Sequence, residues 1–172
     1  ISECMSIINS TLDHQKNTVS DADPLLKTML DLNDVFKDSI KEYQSGSSKN
    51  SIIIRCETLP VIEAVKNQMI QLFNDLISMI MNFPPAGSRL FLYVDCEEVK
   101  PEKLNGSANM NLREFTIKFH TNISTNDIWK KENEKLLVSC EQLVLSHKGS
   151  FGVKNINNTG CLFSLTFPGK LK

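Results

Sequence analysis

Residues 71–83 read Gln71-Leu72-Phe73-Asn74-Asp75-Leu76-Ile77-Ser78-Met79-Ile80-Met81-Asn82-Phe83. Apolar residues recur here at spacings of three and four, which is the pattern of an amphipathic helix. The same pattern continues back to Val61, so the sequence predicts one helix over residues 61–83. Pro84 and Pro85 end that helix, because proline cannot continue the backbone hydrogen bonding.

Further helices and strands are predicted on both sides of this helix. Asp23 followed by Pro24 is typical of a helix start, and a helix is predicted from there to Tyr43. Its predicted apolar face comprises Leu26, Met29, Leu30, Phe36 and Ile40. Isoleucine-rich or alternating patterns predict strands over residues 51–57, 89–95, 115–119, 150–154 and 160–167, and a last helix is predicted over residues 132–147.

This order of elements predicts an α/β (α+β) two-layer sandwich. A mixed, mostly antiparallel sheet of about five strands would form one layer, and about three helices would back it. The length of 172 residues suits one such domain. Nineteen basic and twenty acidic residues give a net charge of -1, so composition provides no reason to expect a nucleic acid or an anionic membrane as partner.

The cysteines, histidines and tryptophan give no strong functional signal. The five cysteines are widely spaced without a C-x-x-C pair, so they are interpreted as reduced packing residues, and no metal site is predicted. His14 is expected on the surface and His120 on the polar face of a strand. His147 is expected at a helix C-terminus, where its positive charge would suit the helix dipole. Trp129 is interpreted as an isolated aromatic residue.

Three segments match known motifs in order. Residues 71–83 are similar to Q-x-x-x-N-L-x-x-N-A-x-K-F, residues 143–151 to a stretch ending in H-G-G-x-I, and residues 158–168 to G-x-G-S-x-F-x-F-x-L-P. Together they resemble the catalytic and ATP-binding domain of bacterial sensor histidine kinases. That domain has the Bergerat fold of the GHKL ATPase superfamily, which also includes gyrase B and heat-shock protein 90.

The resemblance implies a domain organisation. Residues 1–16 carry Met5, Ile8 and Leu12 at helical spacing and are similar to the end of a dimerisation-type helix. Residues 17–172 would then form the histidine kinase-like ATPase domain. Because the chain begins at Ile1 without a signal-peptide pattern, it is interpreted as an internal or processed piece. Its predicted location is the cytoplasm, as in the cytoplasmic part of a membrane-anchored sensor.

The residues that hold nucleotide in the family are replaced in this sequence. The resemblance aligns Asp75 and Met79 with the two usual asparagines of the N-box, and Asn82 with the usual lysine; Asn74 is adjacent. These are the positions that would contact a nucleotide if any binds, and their spacing predicts one shared helix face. The thioether of Met79 cannot replace an oxygen ligand of magnesium.

The other nucleotide-binding motifs of the family are missing. Residues 120–126 follow the strand that ends at Phe119, but they lack the adenine-binding aspartate and contain no glycine. Residues 132–137 contain two glutamates in place of the glycine box, and these would repel phosphate. The segment between residues 121 and 132 is much shorter than the usual ATP lid. The sequence therefore predicts that ATP and magnesium binding are lost and that no catalytic residue remains.

The leading hypothesis is a degenerate, non-catalytic domain in two-component signal transduction that acts by protein–protein contact. Its predicted partners are its own dimerisation helices, a second copy in a homodimer, or a response-regulator receiver domain; no nucleic acid or direct membrane contact is expected. Met79 and Met81 are candidate contacts in an exposed apolar patch. One alternative is an active ATP-dependent histidine kinase that uses Asn74, Asp75 and Asn82. Another is a kinase-derived histidine phosphotransferase with its phosphoacceptor histidine upstream of Ile1.

Overall fold

A computed structural model describes residues 26–45, 52–99, 112–156 and 160–170. The predicted dimerisation-type helix over residues 1–16, the domain boundary at residue 17, Cys4 and His14 lie outside these ranges. The elements in chain order are β1 (Lys27–Asp31), α1 (Leu32–Ser45), β2 (Ile52–Cys56), β3 (Val61–Val65), α2 (Lys66–Met81), β4 (Leu90–Val99), β5 (Leu112–Thr121), α3 (Thr125–Ile128), α4 (Lys131–Ser146), β6 (Ser150–Ile156) and β7 (Gly160–Lys170).

The main sheet has five strands in the order β2-β4-β5-β7-β6. Strands β2 and β4 are parallel, and the other neighbouring pairs are antiparallel. A parallel pair needs a long crossover connection, which β3 and α2 provide. The predicted mixed, mostly antiparallel sheet of about five strands is confirmed.

The core lies between one face of this sheet and the three long helices. Alternate strand residues point toward the helices, among them Val94, Phe119 and Phe163, which are fully buried. From the helix layer, Phe73 of α2 packs edge-on against Phe119, with ring centroids 5.7 Å apart. Helices α2 and α4 also pack against each other. The two-layer sandwich predicted from the sequence is therefore confirmed.

Two predicted helices begin later than the sequence pattern indicated. Residues 27–31 and 61–65 were predicted to be helical, but they form β1 and β3, which pair with each other as a two-stranded antiparallel sheet. Runs of five residues are too short for the apolar period to distinguish strand from helix. Leu26 and Met29, predicted for the apolar face of a helix, are exposed.

Candidate functional site

The four predicted site residues lie on α2 or directly after it, but the structure does not bring them together on one surface. Asn74 and Asn82 are exposed and Asp75 is half-buried, whereas Met79 is 0% exposed and belongs to the core. Met79 is buried because it lies three residues after Leu76 on the apolar stripe of α2. Its predicted role in an exposed contact patch is therefore wrong.

Asp75 takes part in the contact between α2 and α4. The hydroxyl of Ser139 on α4 donates to Asp75 Oδ2 at 3.3 Å. The next residue of α4, Cys140, is fully buried; burial raises the pKa of its thiol to about 12, and the charge of Asp75 acts in the same direction. The position that the resemblance aligns with an asparagine of the N-box thus serves here to join two helices.

The segment between β5 and α4 folds into the core. It contains the single turn α3, and both Ile123 and Ile128 are fully buried in the same hydrophobic cluster as Met79. Phe83, just after α2, packs against this cluster. The segment that follows β5, where the resemblance places the nucleotide lid, thus contributes apolar side chains to the core.

Polar contacts hold the same segment at both ends. At its start, the side chain of Asn122 accepts from the backbone N–H of Phe91 and donates to the carbonyl of Arg89, each at 2.8 Å. Toward its end, Asn133 is buried and donates to the carbonyl of Asp127 at 3.1 Å. Both ends are thus tied to the domain, which differs from a loop that opens over a ligand.

A polar cleft of 410 Å³ lies between α1 and α2, on the side of α2 where Asn74 and Asp75 emerge. Ser39 and Tyr43 of α1 line its other wall. Across the described ranges, no three His, Cys, Asp or Glu side chains are grouped so that they could share a metal ion. The cleft therefore offers hydrogen-bonding groups rather than a set of metal ligands.

A larger groove of 560 Å³ lies between α4 and β6, and we call it the α4–β6 groove. Its lining residues are Trp129, Lys131, Glu134, Leu137, Val138, Glu141, Phe151, Gly152 and Val153. Trp129 is 64% exposed and Val138 is 46% exposed. Sequence reasoning missed this groove, because it treated Trp129 as an isolated residue. The available signal was one apolar residue, Val138, between the charged residues Glu134 and Glu141 on one face of the last helix.

His147 lies at the C-terminus of α4 as predicted, but the prediction that it is charged is wrong, because the residue is buried and neutral. It is 3% exposed, and its Nε2 accepts from the backbone N–H of Val65 at 3.1 Å. The Nδ1–H then donates to the carbonyl of Leu143 at 2.8 Å. Burial lowers the pKa of His147 below its usual value. The imidazole therefore joins the end of α4 to the β3–α2 junction as a hydrogen-bonded core group.

His120 lies on the polar face of the sheet, as predicted. Its Nε2 is 2.9 Å from Asp95 Oδ2, and its ring lies beside that of Tyr93, with centroids 5.5 Å apart. The described cysteines 56, 96, 140 and 161 are free thiols, and Cys140 and Cys161 are buried in the core as predicted, whereas Cys56 is exposed. Within the described part of the chain, no helix is both long and apolar enough to cross a membrane.

The sequence matches no protein-family model and no curated protein. Solved structures of sensor histidine kinases do match the fold. The catalytic domain of histidine kinase ThkA superimposes with a TM-score of 0.59 at 15% identity, over 83% of this chain and 95% of that one. Histidine kinase AdeS of Acinetobacter baumannii gives 0.58 at 13% identity, over 96% of this chain and 79% of that one. The mycobacterial sensor histidine kinase MprB gives 0.57 at 13% identity, over 86% and 100% of the two chains.

Identities at this level establish the fold and not the chemistry. The chain has the α/β fold of sensor histidine kinase catalytic domains, as its sequence motifs indicated. The activity of this chain depends on its own residues at the site.

Proposed function

We propose that this chain, folded as a sensor histidine kinase catalytic domain, is a two-component signalling module that has lost nucleotide binding and acts by contact with other proteins. The burial of Met79 supports this most directly. The resemblance aligns Met79 with the asparagine that holds magnesium, and here its side chain is packed in the core together with Ile123 and Ile128. We place the module in the cytoplasm, as part of a bacterial sensor.

The requirements for binding a magnesium triphosphate are not met by these residues. Magnesium takes oxygen ligands in near-octahedral geometry, and a buried thioether supplies none. Phosphates approach a backbone most closely at glycines, yet no glycine lies between Gly106 and Gly149. The N-terminus of α4 would attract an anion through its free N–H groups, but Glu132 and Glu134 offset the charges of Lys130 and Lys131 there, so the side chains add no net positive charge.

Protein contact is the function that the remaining surface favours. The α4–β6 groove combines an exposed tryptophan, an exposed valine and two carboxylates, a mixture typical of interaction sites. The partners we propose are the dimerisation helices of the same protein, a second copy, or a receiver domain. The net charge of -1 gives no support for nucleic acid as the partner.

Thermal unfolding with and without Mg-ATP tests the loss of nucleotide binding. A site with a Kd of about 10 µM would add about 2.7 kcal/mol of stability at about 1 mM ATP, since the ligand is then at one hundred times Kd. For a domain of this size, Tm would rise by roughly 5–10 °C. We expect no rise beyond that given by magnesium alone. Calorimetric binding at 1:1 stoichiometry would reject the proposal and favour the active-kinase alternative.

A further inference from the structure

We propose that the α4–β6 groove binds an extended segment of a partner protein, which adds as a strand to the outer edge of β6 over residues 150–154. The segment would place one apolar side chain in the groove, with a basic side chain two positions before it and another two positions after it. This inference rests on the proposed function, because it names the surface and the chemistry of the partner for a module that acts by contact.

The first observation is the position of β6 in the sheet. It is the terminal strand, paired with β7 along residues 150–156, and no described strand pairs with its other side. A terminal strand presents unpaired backbone N–H and C=O groups, which an extended peptide can pair with. Over residues 150–154, β6 contains no proline and only one charged residue, Lys154, so it carries few of the features that block strand addition.

The second observation is an apolar strip beside this edge. Phe151 and Val153 lie opposite Leu165 and Phe163 of β7, which are fully buried, so all four side chains face the helix layer. Phe151 and Val153 nevertheless stay half-exposed, because the groove separates them from Val138 on α4. A strand added outside β6 would direct alternate side chains into this space.

The third observation is the charge on the helix side of the groove. Glu134 and Glu141 lie seven residues apart on one face of α4, which corresponds to about 10.5 Å along the axis. Neither forms an ion pair within the described part of the chain, and Val138 lies between them. Lys131 also lines the groove, so two carboxylates face one ammonium group and the lining stays acidic. Positions i and i+4 of an extended strand are about 13 Å apart and share a face. Two lysines or arginines at that spacing can therefore reach the two carboxylates.

Trp129 provides a direct readout of this surface. It is the only tryptophan in the chain, it lines the groove, and 64% of its surface is exposed. A segment bound in the groove would cover its ring and move its fluorescence emission to shorter wavelength. Aromatic side chains of this kind are frequent anchors at protein interfaces.

The test is a fluorescence titration of the whole chain with a capped peptide of sequence Thr-Lys-Thr-Leu-Thr-Lys-Thr. We expect saturable binding below about 1 mM, a range typical of weak recognition of a short peptide. Replacing both lysines of the peptide by glutamate should abolish binding. Methylating two successive backbone nitrogens should weaken it, because one of them faces β6 in any strand register.

Two protein variants distinguish a specific effect at the groove from a general effect of surface charge on peptide binding. Val138→Lys puts a cation between the two carboxylates and should weaken peptide binding at least about tenfold, with little effect on folding. Val99→Lys is the matched control: Val99 is a valine of similar exposure, 41%, it lies next to Glu98, and it is remote from the groove in the sheet order. The control should bind the peptide like the parent.

Several results would overturn the inference. They are an absence of saturable binding, equal binding of the glutamate peptide, equal weakening by Val99→Lys, or a Trp129 spectrum that shifts with protein concentration alone. The last result would assign the groove to a second copy of the chain. If neither the peptide nor Mg-ATP binds, only the proposed peptide site in the groove is rejected. If both bind, only the proposed loss of nucleotide binding is rejected.

Discussion

The buried His147 makes the stability of the domain depend on pH in a defined direction. In the folded state its Nε2 must accept the N–H of Val65, so the neutral imidazole is required. Burial lowers its pKa below the ordinary histidine value of 6.5; the hydrogen bond to Leu143 acts in the opposite direction, and the charge of Lys27 lowers the pKa further. As the pH falls, the unfolded chain therefore takes up a proton before the folded one does.

The sign and size of the effect follow from this difference in proton binding. The contribution of neutral His147 to the free energy of unfolding is fully present well above pH 6.5. As the pH is lowered, this contribution begins to fall near pH 6.5 and continues to fall until the pKa of the folded state is reached. One proton bound only in the unfolded state changes the free energy of unfolding by at most about 1.4 kcal/mol per pH unit. Replacing the ring by one without nitrogens, His147→Phe, leaves the buried N–H of Val65 without an acceptor and should cost about 1–3 kcal/mol at neutral pH.

Urea unfolding at about pH 7.5 and about pH 5.5 measures both effects. The parent should lose stability between the two values, and His147→Phe should start lower but lose less. His120→Gln serves as the control, because it also removes a histidine but on the open face of the sheet beside Asp95. If His120→Gln abolished the acid sensitivity while His147→Phe kept it, the assignment to the buried imidazole would be refuted.

Two further predictions concern positions where the sequence departs from the motifs it resembles. Lys148 follows α4 with φ of 59°, and the backbone N–H groups of Lys148 and Gly149 close the helix end on the carbonyls of Leu145 and Val144. Lys148→Gly should therefore stabilise the domain by about 1 kcal/mol in urea unfolding, whereas Lys135→Gly, in the exposed middle of α4, should destabilise it by about as much. Met79→Asn buries an amide and should cost at least about 2 kcal/mol without conferring Mg-ATP binding in calorimetry; binding by this variant would show that the region is open.

The sequence predicts most of the architecture because the longer elements carry an unambiguous apolar period. The inward residues of α2 recur over four turns, and the alternation in β4 and β5 puts Val94 and Phe119 on the buried face. The sheet formed by β1 and β3 was missed for a physical reason. Each strand has only five residues and directly precedes a helix, so its apolar residues also fit an extension of that helix.

The candidate sites differ in how far local sequence can reveal them. The absence of glycine before α4 and the thioether at Met79 are visible in the sequence, since each concerns one residue type at one position. The α4–β6 groove is not visible, because it joins residues 129–141 to residues 151–153 and exists only once β6 is known to be the last strand of the sheet. The state of His147 likewise depends on Val65, which is 82 residues away in the chain.

The proposed loss of nucleotide binding involves several replaced residues, so we expect that no single reversion restores a binding site. An oxygen ligand at position 79 would lie in the core rather than at a cleft, because the side chain at this position is 0% exposed. Replacing Ile123 or Ile128, both fully buried, by a small residue would leave a cavity and cost several kcal/mol, as large-to-small core substitutions do. A glycine in the first turn of α4 would weaken the helix by about 1 kcal/mol and still leave a glutamate near the phosphates. Each of these single substitutions therefore lowers stability, and under the proposed loss of nucleotide binding we expect none of them alone to confer Mg-ATP binding.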